Sequence, residues 1–195
     1  MDTTAHDTIL VLDFGAQYSQ LIARRIREQQ VYSQIVPYTM SAEEIAKFNP
    51  KGLVFSGGPS SVQSGDSPRP DPKIFELGIP ILGICYGLQV LSVMNGGAVE
   101  RPQQKEYGFA HLHITHTDSP LLQGLRETGQ IWMSHGDSVA ALPDHFIRSA
   151  STESCTYAAV EYPEKQWYGV QFHPEVAHTE QGSLLLANFV LNICK

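Results

Sequence analysis

Residues 79–97 read Ile-Pro-Ile-Leu-Gly-Ile-Cys-Tyr-Gly-Leu-Gln-Val-Leu-Ser-Val-Met-Asn-Gly-Gly. Pro80 to Ile84 is an apolar run of strand length. Leu88 to Met94 has the composition of a helix, and Asn95-Gly96-Gly97 stops it. Only Cys85, Tyr86 and Gly87 remain to turn the chain between them. A strand that turns straight into a helix, with glycine two residues either side of a cysteine, is the setting of a nucleophile elbow. The glycines permit a turn that a Cβ would obstruct, and the helix N-terminus behind the thiol favours the thiolate. A buried structural cysteine between packing glycines gives the same string, so the elbow needs support from elsewhere.

Working outward, strand and helix signals alternate upstream. Ile9 to Leu12 is a strand running into the Asp13-Phe14-Gly15 turn, and Leu21, Ile22 and Ile26 have helical spacing. Gln34 to Val36 is a strand closed by Pro37. Ser41 with Glu44 is a capping box. Gly52 to Phe55 is a third strand ending in Ser56-Gly57-Gly58-Pro59. Residues 60–72 are a polar surface loop, and Lys73 to Leu77 is a short helix. This alternation predicts an α/β fold: a mainly parallel central sheet with helices on both faces. From Ala98 to Phe172 the texture changes. His111 to Thr115, Ala158 to Glu161 and Trp167 to Phe172 read as strands without long helices between them, and predict antiparallel additions. Gly182 to Cys194 reads as a closing amphipathic helix.

Composition narrows the function classes. The 195 residues favour one domain, 1–195. A net charge of -7 with no basic stripe argues against nucleic acid as a partner. Arg24-Arg25-Ile26-Arg27 reads as a solvated helix face rather than a nucleotide clamp. Cys85, Cys155 and Cys194 show no CxxC spacing, which points to a reducing compartment and no zinc site. His111, His113 and His116 have no neighbouring Cys or carboxylate ligands, so no metal is expected there. No apolar run is long enough for a membrane span, and Met1 to Asp7 is unlike a signal peptide. The expected location is cytoplasmic.

Two further signals support the elbow. His173-Pro174-Glu175 follows a predicted strand. A cysteine nucleophile needs a base, and a base works best when a third group orients it. In an extended segment His173 and Glu175 point the same way. Ser56-Gly57-Gly58-Pro59 ends a strand on the same edge of the sheet. Gly58 N–H and Tyr86 N–H can together meet a developing oxyanion. A phosphate cradle is disfavoured, because Pro59 removes a donor and no Walker lysine follows.

These residues together resemble the class I, triad-type glutamine amidotransferase family, with its flavodoxin-like fold. The likeness is strongest to the N-terminal amidotransferase domains of the bacterial GMP synthases. It rests on Leu12 to Tyr18, Glu106-Tyr107-Gly108, Met133 to Asp137 and His173 to Gly182, in the expected order across nearly the whole chain. The resemblance implies Cys85 as nucleophile, His173 as base and Glu175 as its partner. It implies Gly58 and Tyr86 as the oxyanion hole, Gln89 against bound L-glutamine, and Ser134, His135, Gly136 and Asp137 around its amino-acid end. Ser60 stands where the family loop carries an acidic residue. No cofactor is implied for this domain. ATP and Mg belong to an ATP pyrophosphatase synthetase domain or subunit that aminates XMP to GMP. No Ser-Gly-Gly-Val-Asp-Ser type loop occurs here, so ATP and XMP binding is not expected of this chain, which reads as an excised domain or a free-standing subunit. The isolated domain is expected to be a poor glutaminase. Two other readings stay open: a γ-glutamyl or peptide hydrolase with the same triad, and a non-catalytic interaction module.

Overall fold

A computed structural model describes residues 7–101 and 106–195. Most of the polar Met1 to Asp7 stretch, up to residue 6, lies outside the described residues. The strands are β1 (Thr8–Asp13), β2 (Tyr32–Pro37), β3 (Gly52–Phe55), β4 (Ile81–Ile84), β5 (Ala98–Glu100), β6 (Glu106–Ile114), β7 (Thr128–His135), β8 (Ser138–Ala141), β9 (Ile147–Ser151), β10 (Ala159–Tyr162) and β11 (Trp167–Val170). The helices are α1 (Ser19–Glu28), α2 (Ala42–Lys47), α3 (Tyr86–Met94) and α4 (Gly182–Ala187). Two short turns of 3-10 helix lie at Pro72–Glu76 and Pro163–Lys165.

One nine-stranded sheet runs in the order β2-β1-β3-β4-β11-β10-β9-β6-β7, and β5 pairs with β8 in a small second sheet. The pairs β1–β2, β1–β3, β3–β4 and β4–β11 are parallel. The pairs from β11 outward are antiparallel. The expected mixture is therefore present, with one refinement. β11 falls in the stretch expected to add antiparallel strands, yet it pairs in parallel with β4, Trp167 opposite Ile81 and Val170 opposite Ile84. All four of its residues are buried, the signature of a strand covered on both faces. β3 and β4 are likewise buried throughout.

Each face has its own core. Ile22, Ala23 and Ile26 of α1 pack with Leu185, Leu186 and Phe189 on one side. Ile45 of α2 packs with Leu88 and Leu91 of α3 on the other. The expected capping box holds: Ser41 Oγ accepts from Glu44 N–H, and Glu44 accepts from Ser41 N–H. The closing helix departs from expectation. Its α-helical geometry ends at Ala187, and Asn188–Ile193 continue as a π-helix. Asn188 Nδ2 there donates to the carbonyls of Leu121 and Gln123, at 3.0 and 2.8 Å. Of the Arg24–Arg27 group, Arg24 and Arg27 are exposed, as a solvated face requires, and Arg25 is half-buried. Arg27 donates to the Ser33 carbonyl at 2.8 Å, and Arg25 Nε reaches the Glu175 carbonyl at 3.0 Å. No helix of the described residues is long and apolar enough to cross a membrane.

This topology fixes where chemistry can occur. Parallel strands end on one edge, so the segments after β1, β3, β4 and β11 converge there. Those segments carry Asp13 to Tyr18, Ser56 to Pro59, Cys85 and Gln171 to Glu175.

Candidate active site

The elbow has the geometry its glycines require. Cys85 has φ 52° and ψ -105°, a conformation L-residues rarely adopt. Its N–H still donates to the Val170 carbonyl at 2.7 Å, so the turn begins while the backbone is held in the sheet. A Cβ at Gly83 would lie 2.7 Å from the Gly87 carbonyl, and one at Gly87 only 2.3 Å from the Phe55 carbonyl oxygen. Helix and sheet therefore approach too closely for any residue but glycine at both places. Cys85 ends up 5% exposed.

His173 is delivered from the neighbouring strand. After β11, its N–H donates to the Trp132 carbonyl at 3.1 Å, and its carbonyl accepts from Thr179 Oγ1 at 2.6 Å. Its Nδ1 lies 2.8 Å from Glu175 Oε1, and both side chains are buried. Arg25 anchors the Glu175 carbonyl from α1. Burial opposes a charge on His173, but hydrogen bonds to Cys85 and Glu175 and their negative charge outweigh it, and its pKa is pushed up to about 10. The imidazole thus holds its proton at neutral pH while facing the sulfur.

The glycine turn after β3 lies over this pair. A Cβ at Gly57 would be 3.3 Å from His173 Cε1 and 3.9 Å from Cys85 Cβ. Ser56, fully buried, accepts from Phe14 N–H at 3.0 Å and donates to the Gly57 carbonyl at 2.9 Å. That carbonyl shares a planar trans peptide with Gly58 N–H. Holding the carbonyl on Ser56 therefore turns the Gly58 N–H the opposite way. The Tyr86 N–H is in the first turn of α3, among the donors a helix leaves without an internal acceptor. The loop at 60–72 is more than a surface excursion, since its Pro68 carbonyl accepts from Tyr86 Oη at 2.7 Å.

A cavity of about 440 Å³ opens beside Cys85, within the range of small-molecule sites. Its wall brings together Gly58, Cys85, Tyr86, Gln89, Ser134 to Asp137 and His173, together with Arg101 and Tyr107. All the candidate residues except Glu175, which sits behind His173, line this one cavity. Gln89 is not a free substrate contact. Its Nε2 donates to the Asp137 carbonyl at 2.7 Å and toward Gln171 Oε1 at 3.4 Å. Asp137 Oδ1 faces Arg101 Nε at 3.5 Å. The wall is braced from behind: His135 Nδ1 lies 3.0 Å from the Asp137 carbonyl, and its Nε2 lies 2.8 Å from Glu106 Oε2. Burial works against ionisation of Glu106, but hydrogen bonds from His135, Ser154 and Thr152 win and hold its carboxyl below the usual range.

Glu106, His135 and Cys155 place one ligand atom each within 4.8 Å of one another, the one grouping among the described residues that could hold a metal ion. The oxygens of Glu106 already accept from Ser154 and Thr152 or contact His135. Burial pushes the Cys155 thiol up to about 12, away from the thiolate a metal needs. His116 of the histidine trio turns instead to Glu161, at 3.3 Å. His111 and His113 are exposed along β6.

Sequence reasoning missed several members of the site. Gln171, whose Nε2 lies 3.6 Å from Cys85 Sγ, was legible in principle. It precedes His173 by two, so the extended reading given to that segment would have put it on the same face as His173; in the structure Gln171 and Phe172 form a bend just after β11. Ser56 was quoted only as part of a glycine turn. Arg101 had no signal at all.

The family model described as glutamine amidotransferase class-I matches residues 10–193. A GMP synthase (glutamine-hydrolyzing) from Bacillus cytotoxicus is 55% identical over 189 residues, which cover 97% of this chain and 37% of that protein. The chain thus spans little more than a third of the length of such curated relatives. The crystal structure of a Thermoplasma acidophilum protein, provisionally named as a GMP synthase subunit, superposes with a TM-score of 0.84 at 29% identity, covering 97% of this chain and 94% of that one. A glutamine amidotransferase from Thermotoga maritima shares the fold, with a TM-score of 0.69 at 21% identity over 96% of this chain and 85% of that one.

Proposed function

The chain belongs to the class I glutamine amidotransferase family, and from that premise we propose that it hydrolyses L-glutamine with Cys85 and passes the ammonia to a synthetase partner. The observation that carries this reading is the buried line Cys85–His173–Glu175 beside one cavity. Cys85 sulfur attacks the side-chain amide carbon, and the oxyanion forms against Gly58 and Tyr86 N–H. His173, already protonated, gives its proton to the departing ammonia. The imidazole then takes a proton from water, whose oxygen attacks the thioester and releases glutamate. Glu175 holds the imidazole and stabilises its cation. Ser134 to Asp137, braced by Glu106, form the wall against which the amino-acid end rests. No cofactor enters these steps.

The relatives' name supports the acceptor. We assign the ammonia to an ATP pyrophosphatase synthetase that uses ATP and Mg to aminate XMP to GMP, in the cytoplasm, where the three free cysteines stay reduced. Ammonia must reach that site unprotonated, so a docked partner should raise activity. The experiment is glutamate release from glutamine by the wild-type chain and Cys85→Ala, with and without the partner, ATP and XMP. A low basal rate, stimulated by the loaded partner and abolished in Cys85→Ala, is expected. Normal release by Cys85→Ala would defeat the assignment. Covalent labelling of Cys85 by a glutamine analogue, but not by a γ-glutamyl peptide analogue, separates this from a peptide hydrolase, and no labelling by either would favour a non-catalytic module.

A further inference from the structure

The proposed hydrolysis asks Cys85 to carry negative charge while only 5% exposed, so donors other than water must face the sulfur. Besides His173, the described residues place one side-chain amide there. Gln171 Nε2 lies 3.6 Å from Cys85 Sγ, and Gln171 is fully buried.

Which end of that amide meets sulfur is decided by its partners. The Asp137 carbonyl can only accept, and it lies 2.7 Å from the Gln89 amide, so the NH2 of Gln89 must face it. The same NH2 points its second proton at the Gln171 amide, 3.4 Å away, so the oxygen of Gln171 faces Gln89. The NH2 of Gln171 is left for the sulfur. Inverting Gln171 would set NH2 against NH2 at one end and oxygen against sulfur at the other. Among the described residues the sulfur has a further polar contact, the Ser134 carbonyl at 3.8 Å, which suits a thiol S–H but repels a thiolate.

We propose that Gln171 is a catalytic residue that donates its side-chain N–H to the Cys85 thiolate, with Gln89 and the Asp137 carbonyl holding the amide in that sense. This deepens the glutaminase reading and rests on it. The role of Gln89 changes accordingly: its NH2 orients Gln171, and only its oxygen is left for a ligand. The titratable groups around Cys85 are His173 with Glu175 behind it, after β11, and Cys155, before β10, which feels its charge; Tyr18, Tyr86, Arg101, Tyr107, His135 and Asp137 share the cavity wall. α3 brings its N-terminus and no acidic side chain in its first turn.

The test is the rate of Cys85 alkylation by iodoacetamide from mildly acidic to alkaline pH, read by mass on the Cys85 peptide. A Gln171 that merely fills the core would leave this profile unmoved. Loss of a donor to a charged acceptor should slow alkylation of Gln171→Met about tenfold at neutral pH and displace its profile to higher pH. Gln89→Leu, which keeps Gln171 but frees its amide to turn, should move the same way by about threefold. A folded Gln171→Met with the wild-type profile overturns the proposal. If Gln171→Met does not fold, a wild-type profile in Gln89→Leu overturns it instead. The readout needs no glutamine. Displaced profiles in the variants, together with a wild-type chain that releases no glutamate, would defeat the glutaminase reading and leave the donor in place.

Discussion

Replacing Glu175 with Gln removes a charge while keeping an oxygen that can accept from His173 Nδ1. The bond is 2.8 Å long, and the side chains are 8% and 1% exposed, so solvent screens it little. A hydrogen bond to a charged group contributes about 1.5–3 kcal/mol and a neutral one about 0.5–1.5 kcal/mol. The difference, about 1–2 kcal/mol, corresponds to a loss of roughly 5- to 30-fold in kcat/KM. A second effect pushes toward the upper end. Glu175 Oε2 has no hydrogen-bond partner among the described residues, so the NH2 that the substitution puts in its place would have none either. Turning the amide to escape would present N–H to Nδ1 and force the wrong tautomer on His173. His173→Ala removes the proton donor outright and should cost roughly 100- to 10,000-fold.

The pH dependence has a definite sign. His173 is raised above its unfolded value, so the stability its pairing contributes is complete below about 6.5 and is lost as pH rises through about 10. The alkaline limb of glutamate release should follow the same proton. In Glu175→Gln both should move to lower pH, by about one unit. The assay is coupled glutamate release across pH, with thermal melts on the same samples. Complete loss equal to that of His173→Ala with an unchanged melt would refute the orienting role, as would a wild-type rate with an unmoved alkaline limb.

Two further outcomes follow from the site's supports. Ser56→Ala should lower kcat about 10- to 100-fold with a smaller change in KM, because the Gly57–Gly58 peptide loses the hydroxyl that sets it; steady-state kinetics decide, and a pure KM effect would exclude an oxyanion role. Glu106→Gln should raise KM for glutamine severalfold by loosening the Ser134–Asp137 wall. Glu106 is held below its ordinary value, so its stabilisation is present above about 4.5 and lost as pH falls, and the melting gap between wild type and Glu106→Gln should close in acid. A gap independent of pH would show that charge at Glu106 is not the cause.

Much of this protein is written locally. Gly83, Cys85 and Gly87 announce the elbow because strand end, helix N-terminus and the close approach of Gly83 to Gly87 all lie within a few residues, although the Phe55 carbonyl that Gly87 clears belongs to β3. The alternating strands and helices from Ile9 to Met94 are legible for the same reason, as is the His173–Glu175 pair two residues apart, although the chain bends and turns there after β11 instead of staying extended as expected. Tertiary structure alone decided the rest. Nothing in Trp167 to Val170 states that β11 lies parallel beside β4, yet that pairing is what carries His173 to Cys85. β7 and β9 escaped notice, although β7 alternates buried and half-buried residues over its second half. The pairing of β7 with β6 sets the Ser134 wall and lets Glu106 meet His135. The amide relay from Asp137 through Gln89 and Gln171 to sulfur joins three chain segments. Such contacts leave no periodicity and no spacing in the chain. They exist because burial on both faces of a sheet strips buried amides of water, and only partners brought in from distant segments can replace it.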